Sequence, residues 1–128
     1  MPKERGQKVI VSNRKARHDY SILDTYEAGL VLVGTEVKSL RAGKASLAEA
    51  YATVDGSEAW VLQLHIPPYE QGNRANPDPL RKRKLLLHRA QIAELKEAVA
   101  RKGQTLVALW LYFARGHAML LIGVGKGK

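Results

Sequence analysis

Apolar and polar positions alternate along the stretch from Gly29 to Leu47, which reads GLVLVGTEVKSLRAGKASL. Side chains two residues apart share one face of an extended strand. The stretch therefore predicts a central strand with an apolar face (Val31, Val33, Val37) and a charged face (Glu36, Lys38). We expect a ligand to approach the backbone at the charged face, because Gly34 permits a bulge or bend just before it.

Strand-like runs with turn signals between them occur on both sides of this stretch. Apolar residues of one parity run from Tyr20 to Tyr26 and predict a second strand, which Ala28-Gly29 would break or bend. The runs 51–54 and 58–64 flank Asp55-Gly56-Ser57, and Asp-Gly between two such runs is a strong hairpin signal. We expect these two runs to form a β-hairpin.

A surface loop and one helix are expected after the hairpin. The segment from Pro67 to Pro79 is rich in proline and asparagine and shows no period, which is typical of a loop. Apolar residues then fall at helical spacing from Ile92 to Val99, and Gly103 is placed to stop a helix. We predict a helix of about three turns from Arg89 to Lys102.

The last part of the chain is apolar over two runs. The run from Thr105 to Ala114 is apolar at both odd and even positions, so both faces of a strand would be apolar. A second apolar run extends from Ala118 to Val124. A strand of this kind must be covered on both faces, by a barrel interior on one side and by a helix on the other. We therefore expect Trp110 and Tyr112 to be core residues and not platforms for base stacking.

These elements predict a mainly β fold. Short strands with mainly antiparallel connections and one long helical insertion suggest a small closed or partly open barrel of the oligonucleotide-binding type. The 128 residues have the size of one ordinary domain. We expect a loose arm over residues 1–12, the barrel over residues 13–124, and the start of a flexible basic tail over residues 125–128.

Charge narrows the choice of partner. Lys and Arg total 21 against 12 Asp and Glu, which gives a formal net charge of +9. A domain this basic most often meets nucleic acid or an anionic membrane surface. No stretch approaches the roughly 20 apolar residues of a membrane span, so we expect a cytoplasmic protein. Cysteine is absent and the four histidines are scattered, so we expect no thiol chemistry, no metal site and no cofactor.

The cations are concentrated in three segments. These read NRKARHDY, TEVKSLRAGK, and LRKRK followed by LLLHR. A solvated surface would explain any one of them, but RNA stems offer phosphates and 2′-hydroxyls that suit cations together with a few polar groups. The candidate phosphate-binding cations are Arg14, Lys15, Arg17, Lys38, Arg41, Lys44, Arg81, Arg83 and Lys84. Further RNA-binding candidates are Asn13, His18 and His88.

Glu36 is the exception among these cations, because phosphate repels a carboxylate. It would act as an internal partner that orients Lys38 or Arg41, or it would accept hydrogen bonds from a base edge or a ribose hydroxyl. In the second case, replacement of Glu36 by Ala would weaken RNA binding with the melting temperature nearly unchanged.

Two other classes of protein remain open at this point. A generic single-strand binder of the cold-shock kind would display several aromatic side chains on one polar strand face. A metal-free ribonuclease would use Glu36 with His18 or His88 as a general acid and base pair. Nothing in the spacing requires these residues to meet.

Four separated motifs, in order along almost the entire chain, resemble the small protein B family of bacterial tmRNA-binding proteins. They are NRKARHDY, GTEVKSLRAGKASL, RKRKLLLHR and the closing GVGKGK. The resemblance implies a six-stranded barrel related to the oligonucleotide-binding fold, with about three helices. It also implies a protein that is not an enzyme, that binds the tRNA-like domain of tmRNA and that helps deliver it to stalled ribosomes in trans-translation.

The resemblance extends to partners and to one residue. It implies tmRNA and the stalled ribosome as partners, with elongation factor Tu and alanyl-tRNA synthetase reached indirectly through tmRNA, and a monomer that contacts no membrane. The family's motif places its functional carboxylate at Glu36. The family normally continues past Gly-Lys-Gly-Lys with a basic tail that engages the ribosome. We therefore expect this chain to bind the tRNA-like domain but to support peptide tagging only when extended by such a tail.

Overall fold

Seven strands and three helices make up residues 7–70 and 76–128, the part of the chain that the computed structural model describes. In chain order they are β1 (Gln7–Ser12), α1 (Arg14–Asp19), β2 (Tyr20–Leu30), α2 (Gly34–Arg41), β3 (Tyr51–Asp55), β4 (Glu58–Leu62), β5 (Arg83–Leu86), α3 (Arg89–Val99), β6 (Gln104–Ala114) and β7 (His117–Gly127). Every pairing between these strands is antiparallel. The mainly β fold with about three helices is the one expected from the sequence.

Six of the strands close into a ring. Their order is β6-β3-β4-β5-β2-β7, and β7 returns to pair with β6 along its whole length. The remaining strand, β1, lies outside the ring and pairs with the second half of β6. Closure into a barrel removes the free edges that these six strands would expose in an open sheet.

The core fills the barrel and extends under α3. Leu106, Leu111 and Leu120 are almost completely excluded from solvent. The helix α3 adds Ile92 and Leu95, which lie three residues apart on one of its faces. These residues belong to one continuous buried cluster, so α3 is packed on the barrel by the same apolar surface that fills it.

Several local predictions are confirmed. The hairpin forms between β3 and β4, where Asp55 pairs with Glu58 and Gly56 takes the positive φ of +63° that a tight turn requires. The strand expected at Tyr20 is β2, and the helix expected from residue 89 is α3. Tyr112 is fully buried as predicted.

The predicted central strand from Gly29 to Leu47 is wrong. β2 runs without interruption through the expected break at Ala28-Gly29, and the segment after it forms the helix α2. The buried side chains of α2 are Glu36, Ser39 and Leu40, which share a helix face because they are three and four residues apart. Two of these three residues are polar, so the apolar pattern alone does not reveal the helix.

The ends of the barrel also differ from expectation. Residues 7–12 of the predicted loose arm form β1, and residues 1–6 lie outside the described part of the chain. At the other end, Gly127 of β7 pairs with Tyr20, so residues 125–127 continue the barrel instead of starting a flexible tail. Residues 125–127 have no apolar side chains, but strand pairing uses backbone groups and does not require them.

Replacement of Gly123 by Ala is expected to destabilise the barrel. An added Cβ would lie 2.7 Å from Cδ1 of Leu109 and 3.2 Å from Cγ2 of Ile22. Leu109 is itself buried, so it has little room to move. Overpacking of this kind costs about 1–3 kcal/mol, and urea unfolding should show a lower midpoint at an unchanged m value.

Gly34 provides the matched control. A Cβ added there meets nothing within 4 Å. Since Gly34 is in the first turn of α2, Gly34→Ala should be neutral or slightly stabilising. The same unfolding midpoint for both variants would contradict the close approach of β7 to Leu109.

Candidate nucleic-acid interface

A buried ion network joins α2 to the segment that leads into β5. Glu36 is 2% exposed, and its carboxylate accepts hydrogen bonds from two guanidinium groups. Arg81 donates from Nη2 to Oε1 at 2.6 Å and from Nε to Oε2 at 3.0 Å, and Arg83 donates from Nε to Oε2 at 2.7 Å. The backbone N–H of Val33 donates to Oε1 at 3.0 Å. Glu36 therefore fixes both the start of α2 and its position against β5.

Arg83 is the deepest charge in this network. Its side chain is fully buried, and its other guanidinium nitrogens donate to backbone carbonyls. Nη1 donates to Leu64 O at 2.6 Å, and Nη2 donates to Pro79 O at 3.1 Å. A buried cation is tolerated only when it is paired and hydrogen-bonded in this way.

The pKa values of the pair reflect this environment. Burial alone would raise the pKa of Glu36, but the hydrogen bonds from Arg81, the Val33 amide and Arg83 outweigh it and hold the pKa below its ordinary value. Burial lowers the pKa of Arg83, and Glu36 partly offsets that effect. Glu36 is therefore a carboxylate at neutral pH and Arg83 remains a cation.

This geometry corrects three sequence predictions. Glu36 is an internal partner, but it binds Arg81 and Arg83 instead of Lys38 or Arg41, and its carboxylate is enclosed where no base edge can reach it. Arg83 is likewise enclosed and cannot bind phosphate. The alternation along β5 could have revealed that Arg83 is buried, because Arg83 shares a strand face with the core residue Leu85.

The cations of α2 and of the turn after it lie on the surface. Lys38, Arg41 and Lys44 are exposed, and Lys38 and Arg41 lie on the side of α2 away from Glu36 and Leu40. The ammonium group of Lys38 lies 5.6 Å from the centre of the Tyr69 ring. Because Glu36 positions α2, it also positions these cations.

Asn13 joins the start of α1 to two other parts of the chain. Its Oδ1 accepts the backbone N–H of Ala16 and so caps the helix. Its Nδ2 donates to the carbonyls of Leu47 and Ala108, both at 2.9 Å. Asn13 is 5% exposed, so its predicted contact with RNA is replaced by a structural role. It holds α1 beside the segment that follows α2.

The cations of α1 are exposed beside this junction. Lys15 forms a loose pair with Glu49 at 3.7 Å, and Nδ1 of His18 lies 3.1 Å from Asp19. The guanidinium group of Arg17 lies over the indole of Trp110, with its central carbon 4.7 Å from the ring centre. The remaining α1 cation is Arg14, which is also exposed.

The third basic segment is divided between the interior and the surface. Arg81 and Arg83 turn inward to Glu36. Lys82 lies over the Trp60 ring at 4.3 Å, and Lys84 pairs with Glu58 at 2.9 Å. His88 is exposed at the start of α3, where its backbone N–H donates to Gln91 Oε1.

A groove of about 1040 Å³ that sequence reasoning missed runs beside α1. Arg17 lines one part of it, and Glu27 and Leu86 line another. Leu86 is 56% exposed, which is high for a leucine in a strand. The carboxylate of Glu27 accepts a hydrogen bond from the buried Tyr112 hydroxyl. The alternation along β5 could have revealed that Leu86 is exposed, because Leu86 lies on the opposite strand face from Arg83.

The closed ring of strands with exposed cationic helices defines a small basic β-barrel protein. The SmpB protein family model matches residues 10–128. The chain belongs to the SmpB family.

Relatives and a solved structure agree with this assignment. The chain is similar to an SsrA-binding protein of Leifsonia xyli, at 61% identity over all of this chain and 81% of the relative. It is also similar to SsrA-binding proteins of Lysinibacillus sphaericus, at 59% identity over 94% of this chain and 78% of the relative, and of Streptomyces coelicolor, at 56% over 100% and 80%. A structure described as "tmRNA-SmpB: a journey to the center of the bacterial ribosome" matches with a TM-score of 0.78 and 53% identity, over 92% of this chain and 83% of the other.

The described residues contain neither a helix that could span a membrane nor a cluster of metal-binding side chains. Within residues 7–70 and 76–128, no helix is both long and apolar enough to cross a membrane. In the same ranges, no three His, Cys, Asp or Glu side chains are grouped so that they could hold a metal ion.

Replacement of Glu36 by Ala is expected to lower the stability of the protein strongly. It leaves the buried Arg83 without its carboxylate, and breaking a buried ion pair in this way costs about 3–5 kcal/mol. Thermal unfolding should show a clear drop in Tm. Glu49→Ala is the control, because it removes a carboxylate that is 75% exposed from a loose pair and should change Tm little. Equal Tm values for the two variants would exclude a structural role for Glu36.

The contribution of Glu36 to stability should be lost at acid pH. Its pKa in the folded protein is below the value of about 4.3 that it regains on unfolding. The unfolded chain therefore binds the proton first as the pH falls, so the contribution is complete above that value and disappears as the pH drops through the folded pKa. The difference in unfolding free energy between the wild type and Glu36→Gln should shrink from pH 7 to pH 3. A constant difference would contradict this.

Proposed function

We propose that this chain binds the tRNA-like domain of tmRNA and helps deliver it to stalled ribosomes in trans-translation. Membership of the SmpB family supports this, as do relatives named SsrA-binding proteins and a similar structure described as tmRNA-SmpB in the bacterial ribosome. Its site of action is then the cytoplasm, where ribosomes work. Elongation factor Tu and alanyl-tRNA synthetase would meet the chain through the RNA.

The structural feature that best supports RNA binding is the pair of exposed cationic helices, each of which is anchored to the rest of the fold. Asn13 fixes α1 next to the segment after α2, and Glu36 fixes α2 to the barrel. Cations on two rigid elements suit a folded RNA, because such an RNA presents phosphates at fixed separations. The groove with Leu86 continues the same side of the molecule, since Arg17 lines it too.

The proposed phosphate-binding set follows from exposure. It excludes Arg83 and Asn13, which are enclosed, and Arg81, which is bonded to Glu36. It contains Arg14, Lys15, Arg17, Lys38, Arg41, Lys44, Lys82 and Lys84, with His18 and His88 exposed nearby.

The chain is an RNA-binding protein by family, and we propose that it is not an enzyme. A ribonuclease would require Glu36 to exchange a proton with RNA. Both oxygens of Glu36 are engaged by Arg81, Arg83 and the Val33 amide inside the protein. A carboxylate so held is not a general base for an RNA hydroxyl.

A generic single-strand binder is also disfavoured. Such proteins offer several open aromatic faces along a groove. Here Tyr112 is buried, Trp110 is covered by Arg17, and Trp60 is covered by Lys82.

A competition experiment tests the proposed function. Labelled tRNA-like domain should bind the chain and be displaced by itself far better than by an ordinary tRNA or by poly-U at equal concentration. The logarithm of affinity should fall with the logarithm of salt concentration by roughly 0.7–0.9 per phosphate contact. Equal displacement by poly-U would favour the generic binder, and a flat salt dependence would contradict phosphate binding.

Two arginines give a matched comparison within this experiment. Arg41→Ala removes an exposed cation of α2 and should lower the salt slope by about one phosphate contact. Arg101→Ala removes a cation that follows α3 and pairs with Glu97 at 3.4 Å, and it should leave affinity and slope nearly unchanged. The opposite order of effects would place the RNA on the α3 side of the barrel.

A further inference from the structure

We propose that Trp110 is a positioning residue of the RNA-binding surface, which holds the guanidinium group of Arg17 in place for an RNA phosphate. This inference rests on the proposed RNA-binding function. It assigns a role to a tryptophan that the sequence pattern had placed in the core.

The indole ring of Trp110 is a fixed platform. Trp110 lies within β6, paired with Ser12 of β1 on one side and Leu121 of β7 on the other. Its Nε1 edge is buried and has no hydrogen-bond partner among the described residues, so the ring is inserted by its edge into apolar surroundings. Those surroundings include the buried residues Ala16 and Leu109. One face of the ring carries Arg17.

Arg17 belongs to the short helix α1, which packs against the same buried cluster as Trp110. It directly follows Ala16, the buried residue of α1 that packs in the Trp110 cluster. Its guanidinium carbon lies 4.7 Å from the centre of the indole, within the range of a cation–π contact. An exposed arginine otherwise samples many rotamers, and stacking reduces the freedom that is lost when it binds a ligand.

The geometry of the stack is compatible with phosphate. A guanidinium group that lies on an aromatic ring by its flat face can still bind phosphate through the edge of its plane, so the two kinds of contact are compatible. Further cations lie close by, since Arg14 and Lys15 are on the same helix and Lys128 Nζ lies 3.5 Å from the carbonyl of Arg17. A lysine would keep the charge but would lose both the planar stack and the bidentate edge.

Four variants separate positioning from charge, with the tRNA-like domain of tmRNA as the RNA. Trp110→Leu should weaken binding about twofold to fivefold, the worth of an exposed cation–π contact, while the salt slope stays unchanged. Arg17→Ala should weaken binding further and reduce the slope by one phosphate contact. The double variant should bind like Arg17→Ala alone, because Trp110 acts only through Arg17. Trp110→Phe retains an aromatic face and should restore most of the affinity.

A further variant and a fluorescence measurement serve as controls for misfolding. Arg17→Lys is a surface change that keeps the charge but loses the planar contact with Trp110 and the bidentate edge, so it should lose at least as much affinity as Trp110→Leu at an unchanged slope, even if that variant folds poorly. The chain has two tryptophans, so Trp60→Phe leaves Trp110 as the single one. In that background Arg17→Ala should change the Trp110 emission without RNA.

The outcomes separate this inference from the proposed function. Wild-type affinity in both Trp110→Leu and Arg17→Lys, or additive losses in the double variant, would overturn the positioning role. An unchanged salt slope in Arg17→Ala would also overturn it. Failure of the wild type to prefer the tRNA-like domain would instead overturn the proposed function.

Discussion

The position of α2 depends on a carboxylate that is removed from water. α2 is attached to the barrel by Leu40, by a hydrogen bond from Ser39 to the Pro67 carbonyl at 2.7 Å, and by the ion network of Glu36. An apolar contact is tolerant of direction, whereas hydrogen bonds between planar charged groups require specific angles. The network therefore sets how the exposed cations of α2 face the surface, although none of its members needs to touch RNA.

The basic run near β5 shows how residue type and burial are matched. Arg81 and Arg83 turn inward, and Lys82 and Lys84 turn outward. A guanidinium group can satisfy a carboxylate and several carbonyls at once, as Arg83 does, whereas an ammonium group is strongly hydrated and is costly to bury. Four consecutive cations that look equivalent in sequence are therefore two structural groups and two surface groups.

The sequence predicted the architecture better than the site. Turn chemistry at Gly56 and the doubly apolar run of β6 indicated a hairpin and a covered strand, and the four motifs indicated the family. Glu36 was recognised as exceptional, but the partners predicted for it were Lys38 and Arg41, which are close to it in the sequence. Its actual partners are 45 and 47 residues away in the chain, and only the closed barrel brings them together. The same limit applies to α2, because a helix with a buried glutamate has no apolar period to detect.

The pairing of the first elements with the last has a consequence for the order in which the protein can fold. Asn13 donates to the carbonyl of Ala108, 95 residues further along the chain, and β1 pairs with β6. Contacts of such separation form slowly, because closing a long loop costs entropy before any contact repays it. During synthesis the α1 segment emerges early, but six residues do not form a stable helix alone, and β6, against which α1 packs, appears only near the end of the chain. The cationic surface is therefore assembled together with the closed barrel, and an incomplete chain cannot present it.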